Sequence, residues 1–311
     1  MAERSFCARI SEERQEPFVG LAPFAEIWVM IEYTGPWGWS AVLDNDLPEP
    51  AAKWLSDFVM SYETMKGVGV FVRQHSRPLK TIRCFVGVTL KERTALYAFE
   101  FERYEELLSL DLAGLKAGAP AYDRYLTNEP MYIICTNGKH DMCCAKFGMP
   151  IYRELARLDP AHTWHCSHIG GDQFAANLIC FPQGVYYSRV AVPEVETILD
   201  ADRHGRLYLP KCRGRVQYPA VVQAAEYYVR MQTGIFELGA FSLQEVHTED
   251  GSDCVTFCTQ DGALHHVRVQ SHYCELDCPL ACSCNQLGKN YRQEYRLIEY
   301  QVQASEEVVT L

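Results

Sequence analysis

Apolar runs of strand length and stretches of helical periodicity follow one another along this chain in an order that occurs twice. In the first half IWVMIEY (27–33) is a continuous apolar run closed by the turn residues Gly35, Pro36 and Gly38, which predicts a buried strand. Residues 50–65 then carry Trp54, Phe58, Val59 and Tyr62 at helical spacing. GVGVFVRQ (67–74), TIRCFVGVT (81–89) and ALYAFEF (95–101) are β-rich, and EELLSLDL (105–112) reads as a helix after them. Residues 113–130, with Gly114, Gly118 and Pro120 near the start and Pro130 at the end, predict a linker.

The second half repeats the order. MYIIC (131–135) predicts a strand, a polar loop follows, residues 145–158 predict a helix, and 165–174 are mixed in character. NLICF (177–181) and VYYSRV (185–190) are strands joined by the hairpin signal Pro182-Gln183-Gly184, and VPEVETILDA (192–201) reads as a closing helix with Pro193 in its first turn. A strand feeding a loop and helix, then a hairpin and a last helix, is the order of a thioredoxin-like fold. The expectation is an α/β (α+β) protein of tandem thioredoxin-like domains with mixed sheets and a carboxy-terminal extension. Its boundaries would be a flexible amino terminus (1–20), an amino-terminal thioredoxin-like domain without metal ligands (21–125), a second such domain (126–215), and an α+β extension (216–311). The extension opens with the helix VVQAAEYYVRM (221–231) and contains the cysteine-rich HYCELDCPLACSC (272–284).

Composition narrows the function. A chain of 311 residues exceeds what one core usually supports, and 48% hydrophobic with 22% charged residues is the balance of folded protein. A net charge of -11 argues against nucleic acid or anionic lipid as a partner, and an acidic electron-transfer protein would dock on a basic protein surface. The start, MAERSFCARISEERQEP, has charges where a signal peptide needs an apolar run, and no apolar stretch is of membrane-spanning length, so a cytoplasmic location is expected. Fourteen cysteines in such a chain are more plausibly thiols and metal ligands than a disulfide framework.

CTNGKHDMCC (135–144) leaves the MYIIC strand and enters a helix, which puts its thiols at a helix amino terminus, where thiolates are stabilised. Any one of these cysteines taken alone is most simply a buried, inert thiol; three in one polar turn shift the balance to metal or redox chemistry. About twenty residues on, WHCSHIGGDQF (164–174) sets two imidazoles, a thiol and a carboxylate around paired glycines, which let backbone approach a bulky group.

Together CTNGKHDMCC, HIGGDQFAAN (168–177) and PQGVYYSRV (182–190) resemble the sucrase/ferredoxin-like family, and EYTGPWGW (32–39) is similar to the amino-terminal region of its bacterial members. The resemblance implies a thioredoxin-like ferredoxin domain with a 2Fe-2S cluster on two cysteines and two histidines, the latter spaced H-x-x-x-H. By position the ligands are Cys135, Cys144 and His168, with Asp172 in the place of the second histidine. Asp172, Cys166 or His165 could supply the fourth bond, and Cys143 could replace Cys144. Asn137 stands where the family usually has histidine. Gln173 and Arg189 are candidate donors to the cluster sulfurs. An electron carrier is therefore the leading expectation; a metal-free thiol oxidoreductase and a zinc-stabilised partner-binding protein are the alternatives.

Cys274, Cys278, Cys282 and Cys284 lack the C-x-x-C pairing of zinc sites, and packed or surface thiols are expected there. Cys254 and Cys258 would share one side of a strand, which suggests core. The sucrase in the family's name finds no support: with 40 Asp and Glu residues a carboxylate pair can always be chosen, so a glycoside hydrolase is not expected.

Overall fold

A computed structural model describes residues 6–74, 80–276 and 290–304. The helices are α1 (Cys7–Glu13), α2 (Glu49–Met60), α3 (Tyr62–Met65), α4 (Leu112–Ala117), α5 (Met142–Leu158), α6 (Val195–Arg203) and α7 (Ala220–Thr233). The strands of the first half are β1 (Ile27–Glu32), β2 (Gly67–Arg73), β3 (Ile82–Thr89), β4 (Thr94–Phe101) and β5 (Leu126–Thr127). Those of the second are β6 (Met131–Cys135), β7 (Thr163–Cys166), β8 (Leu178–Phe181), β9 (Val185–Tyr187) and β10 (Cys212–Arg215). The extension carries β11 (Ser242–Glu249), β12 (Ser252–Cys258), β13 (Leu264–Leu276) and β14 (Asn290–Gln303).

The two halves are built alike. β1 pairs in parallel with β2 and antiparallel with β3, which forms a hairpin with β4; β6 does the same with β7, β8 and β9. Each half is thus a thioredoxin-like set of four strands. They are fused: β2 and β7 pair antiparallel through Val72↔Cys166 and Arg73↔His165, making one ten-stranded sheet in the order β10-β9-β8-β6-β7-β2-β1-β3-β4-β5. Around that short junction Ser167 accepts the Phe71 N–H on its hydroxyl at 3.0 Å and donates its own N–H to Phe71 O at 2.8 Å.

Period-two alternation sorts the core residues. Ile27, Val29 and Ile31 of β1 face α2 and α4, and Tyr132 and Ile134 of β6 face α5 and α6. Trp28, Met30, Ile133, Trp164, Ile179 and Phe181 share the opposite face. That face closes on itself. β3 and β8 are five strands apart, about 24 Å in a flat sheet, yet a Cβ on Gly87 would lie 3.0 Å from the Phe181 ring. The usual twist of sheets has here been carried into a strong curl, which gives both halves a common core.

Three expectations need correction. The segment expected as a flexible terminus holds α1, whose Cys7 and Ala8 are buried against Cys143 and Ala175. The expected linker holds α4, a 3-10 turn (Pro120–Tyr125) and β5, because Asp111 caps α4 by accepting the Gly114 N–H at 2.9 Å, Gly118 closes it at φ 72°, and Leu115 is fully buried. The helix expected after β4 is a 3-10 turn, Tyr104–Ser109. In the extension α7 packs on the four-stranded antiparallel sheet β11-β12-β13-β14 through Val222, Val229, Val255 and Phe257. No helix among the described residues is long and apolar enough to cross a membrane.

Candidate metal centre

The parallel strands β6 and β7 end side by side, with Cys135 paired opposite Cys166. In open α/β sheets ligands bind in the crevice beyond such carboxyl ends. α5 starts three residues earlier than the apolar pattern predicts, because Asp141 caps it by accepting the Cys143 N–H at 2.7 Å; Cys144 therefore lies in its first turn. α5 can settle on β6 only because residue 148 is glycine: a Cβ there would collide with the Cys135 carbonyl oxygen. His168 follows β7 by two residues. Its Nδ1 is 3.9 Å from Cys135 Sγ and 3.7 Å from Cys144 Sγ, and the three donor atoms lie within 4.8 Å of one another. Both cysteines are buried and His168 is partly so.

A second ring of groups stands behind His168. Its Nε2 sits between a donor, the Gly170 N–H at 3.1 Å, and an acceptor, Asp172 Oδ1 at 3.1 Å. It can satisfy one at a time: protonated it pairs with the carboxylate, bare it accepts from Gly170. The His140 ring stacks on His168 with centroids 3.4 Å apart, and its Nε2 is 3.8 Å from the same Asp172 oxygen. His140 Nδ1 lies 2.9 Å from Trp39 O, so Nδ1 is the donor to that carbonyl and Nε2 is the nitrogen that faces Asp172. Sequence reasoning missed His140; its signal was its place inside the cysteine loop. The first half also reaches the site, since Trp39 stacks on His140 and Asn137 donates to Gly38 O at 3.1 Å. Asn137 also accepts the N–H groups of Lys139 and His140, so the residue that replaces the family's histidine shapes the loop.

Charge is distributed unevenly. The hydrogen bond from Cys144, aided by His168, holds the Cys135 thiol well below its ordinary range despite burial. Cys144 is pushed up by its partnership with Cys135 and by burial, so the pair ionises in sequence. Burial disfavours the charged form of His168, but the Cys135 thiolate, with Asp172 and Asp141, more than reverses this and raises its pKa. Burial raises Asp172, opposed by His168 and His140.

The remaining candidates do not join that donor set. Cys166, opposite Cys135 in the strand register, is buried on the same face as Cys135 and Cys144 but is not one of the donors gathered within 4.8 Å, and burial with the Cys135 charge raises its thiol pKa. His165 points to the other face, where its Nδ1 is 3.0 Å from Thr136 Oγ1 and its ring meets Trp37 and Tyr152. Cys143 turns away from Cys144 toward Cys7. The Arg189 guanidinium donates to Ser11 O and Oγ, and Gln173 is half-buried in the 3-10 turn Asp172–Phe174. Cys254 and Cys258 are only partly buried: Val255 and Phe257 take the core side of β12, which corrects the expectation of core cysteines. Of the carboxy-terminal quartet, Cys278, Cys282 and Cys284 and the side chain of Cys274 lie outside the described residues.

Two thiols and an imidazole converging in a buried crevice are a donor set suited to iron or zinc. Fold and site together define a thioredoxin-like protein with a candidate soft-metal centre at the end of its second central strand. The chain belongs to the sucrase/ferredoxin-like family, whose model matches residues 19–214, both halves of the ten-stranded sheet up to β10. It is also similar to altered inheritance of mitochondria protein 32 of Meyerozyma guilliermondii, 29% identical over 102 residues that cover 29% of this chain and 36% of that protein. The match thus spans about a third of that relative's length. No solved structure matches.

Proposed function

We propose that this protein transfers electrons through a 2Fe-2S cluster held by Cys135, Cys144 and His168, with the fourth bond from Asp172 or His140. The observation that carries the reading is the convergence of Sγ, Sγ and Nδ1 within 4.8 Å from three separate segments. Bound there, the cluster would take up and release one electron. Histidine ligation favours the added electron, as in Rieske centres at about -150 to +300 mV against about -400 mV for all-cysteine plant ferredoxins. The chain's own part is to keep Cys135 ionised through Cys144 and His168, to orient His168 through Asp172, and to exclude water by burial. The net charge of -11 favours a protein partner with a basic face, and the ten cysteines whose side chains are described, all free thiols, suit the cytosol.

Zinc is the second reading, because sulfur to nitrogen distances of 3.7 and 3.9 Å also suit the edges of one tetrahedral ion. Anaerobic purification with an optical spectrum and assays of iron, zinc and acid-labile sulfide separates the two. The expected result is brown protein with iron and sulfide in equal amounts, lost in Cys135→Ser and His168→Ala. Colourless protein carrying zinc, or no metal, overturns the cluster.

A further inference from the structure

One pair of thiols has no part in that centre. Cys7, in α1, and Cys143, in the first turn of α5, are separated by 136 residues in sequence, yet their Sγ atoms lie 3.4 Å apart. Cys7 is 3% exposed and Cys143 0%. The contact sits where α1 docks. Phe6 meets Phe147 edge-on at 5.9 Å, Lys146 Nζ lies 3.9 Å over the Phe6 ring, and Arg189 donates to Ser11 O at 2.9 Å. All these partners of α1 belong to the second half, so whatever joins Cys7 to Cys143 fastens the amino-terminal helix to the helix that carries Cys144.

We propose that Cys7 and Cys143 form a peroxide-oxidisable dithiol, a modification site that staples α1 onto α5 as a disulfide. Cys7, the slightly exposed member on a short terminal helix, meets the oxidant. Its sulfur takes one oxygen of hydrogen peroxide to become a sulfenic acid, and the other oxygen leaves as water. The Cys143 sulfur then attacks the Cys7 sulfur. The sulfur–oxygen bond breaks, and the hydroxyl leaves with the Cys143 proton as a second water. In sum two thiols and one peroxide give one disulfide and two waters. A metal is the competing occupant, because Asp141, which caps α5 through the Cys143 N–H at 2.7 Å, also lies 3.9–4.0 Å from Cys7 Sγ, and a zinc assay decides between them.

Peptide mapping of the full chain tests this. Reduced protein is treated with a small excess of hydrogen peroxide, alkylated and digested with trypsin. The expected product is SFCAR (5–9) joined to HDMCCAK (140–146), with fragmentation placing the link at Cys143. It disappears in Cys7→Ser and Cys143→Ser. The oxidised chain should also unfold at a higher temperature than the reduced one, a difference removed by reductant and absent from Cys7→Ser. Recovery of the two peptides separately alkylated, a link to Cys144 instead, or one equivalent of zinc in reduced protein that Cys7→Ser lacks, overturns the proposal. Iron and sulfide measured on the same samples report the cluster independently of the link.

Discussion

Asp172 and His140 compete for one task, and their existing bonds separate them. Asp172 is engaged by His168 Nε2 at 3.1 Å, on the imidazole nitrogen turned away from the sulfurs, whereas His140 has committed Nδ1 to Trp39 O and its Nε2 stands 3.8 Å from the same carboxylate, beyond hydrogen-bond reach. His140→Ala is therefore expected to abolish the visible absorbance. Asp172→Asn should keep the colour but weaken metal retention about 10- to 100-fold, the usual effect of losing a carboxylate behind a ligating histidine. Colour retained in the first variant and lost in the second reverses the assignment. A pH effect arises away from the centre. Asp202 accepts from Tyr132 Oη at 3.0 Å, and burial pushes its carboxyl up to about 6. A carboxyl whose folded pKa exceeds the unfolded value of about 3.9 stabilises most below that value and loses this contribution as pH rises through about 6. Between pH 4 and pH 6 the wild type should lose stability, by at most about 3 kcal/mol from this group. Asp202→Asn should lack that component in urea titrations at a series of pH values.

At the scale of elements, the distance between the two cysteine ligands depends on how closely α5 lies on β6. Gly148→Ala tests this, because two effects of opposite sign meet there. Alanine favours the helix by about 1 kcal/mol, while the clash with the Cys135 carbonyl forces a shift that costs about 1–3 kcal/mol. The clash should win. The variant is expected to unfold at lower urea and to hold less metal per chain than wild type; unchanged metal content would mean that α5 moves without carrying Cys144 off.

At the scale of the whole molecule two seams join parts distant in sequence. One is the β2–β7 junction, through which the loop after β1 reaches the centre built by the second half. The other ties α7 to β10: wholly buried Glu226 lies 2.8 Å from Arg215 and 2.9 Å from Arg230. Removing the carboxylate strands two buried cations, so Glu226→Ala should cost about 3–5 kcal/mol, seen as a lower denaturation midpoint with an unchanged slope.

Periodicity and turn chemistry determined much locally. MYIIC matches β6 residue for residue, Pro182-Gln183-Gly184 joins the predicted hairpin, and the repeated order of elements announced two like halves, because alternation and turn residues are properties of short segments. The cysteine and His168 loops were legible for the same reason. Tertiary structure alone decided that the halves share one curled sheet, that His140 and Trp39 flank His168, and that Cys7 meets Cys143. Those contacts join residues tens to more than a hundred positions apart, and no pattern along the chain records which distant surfaces the closing of a sheet will bring together.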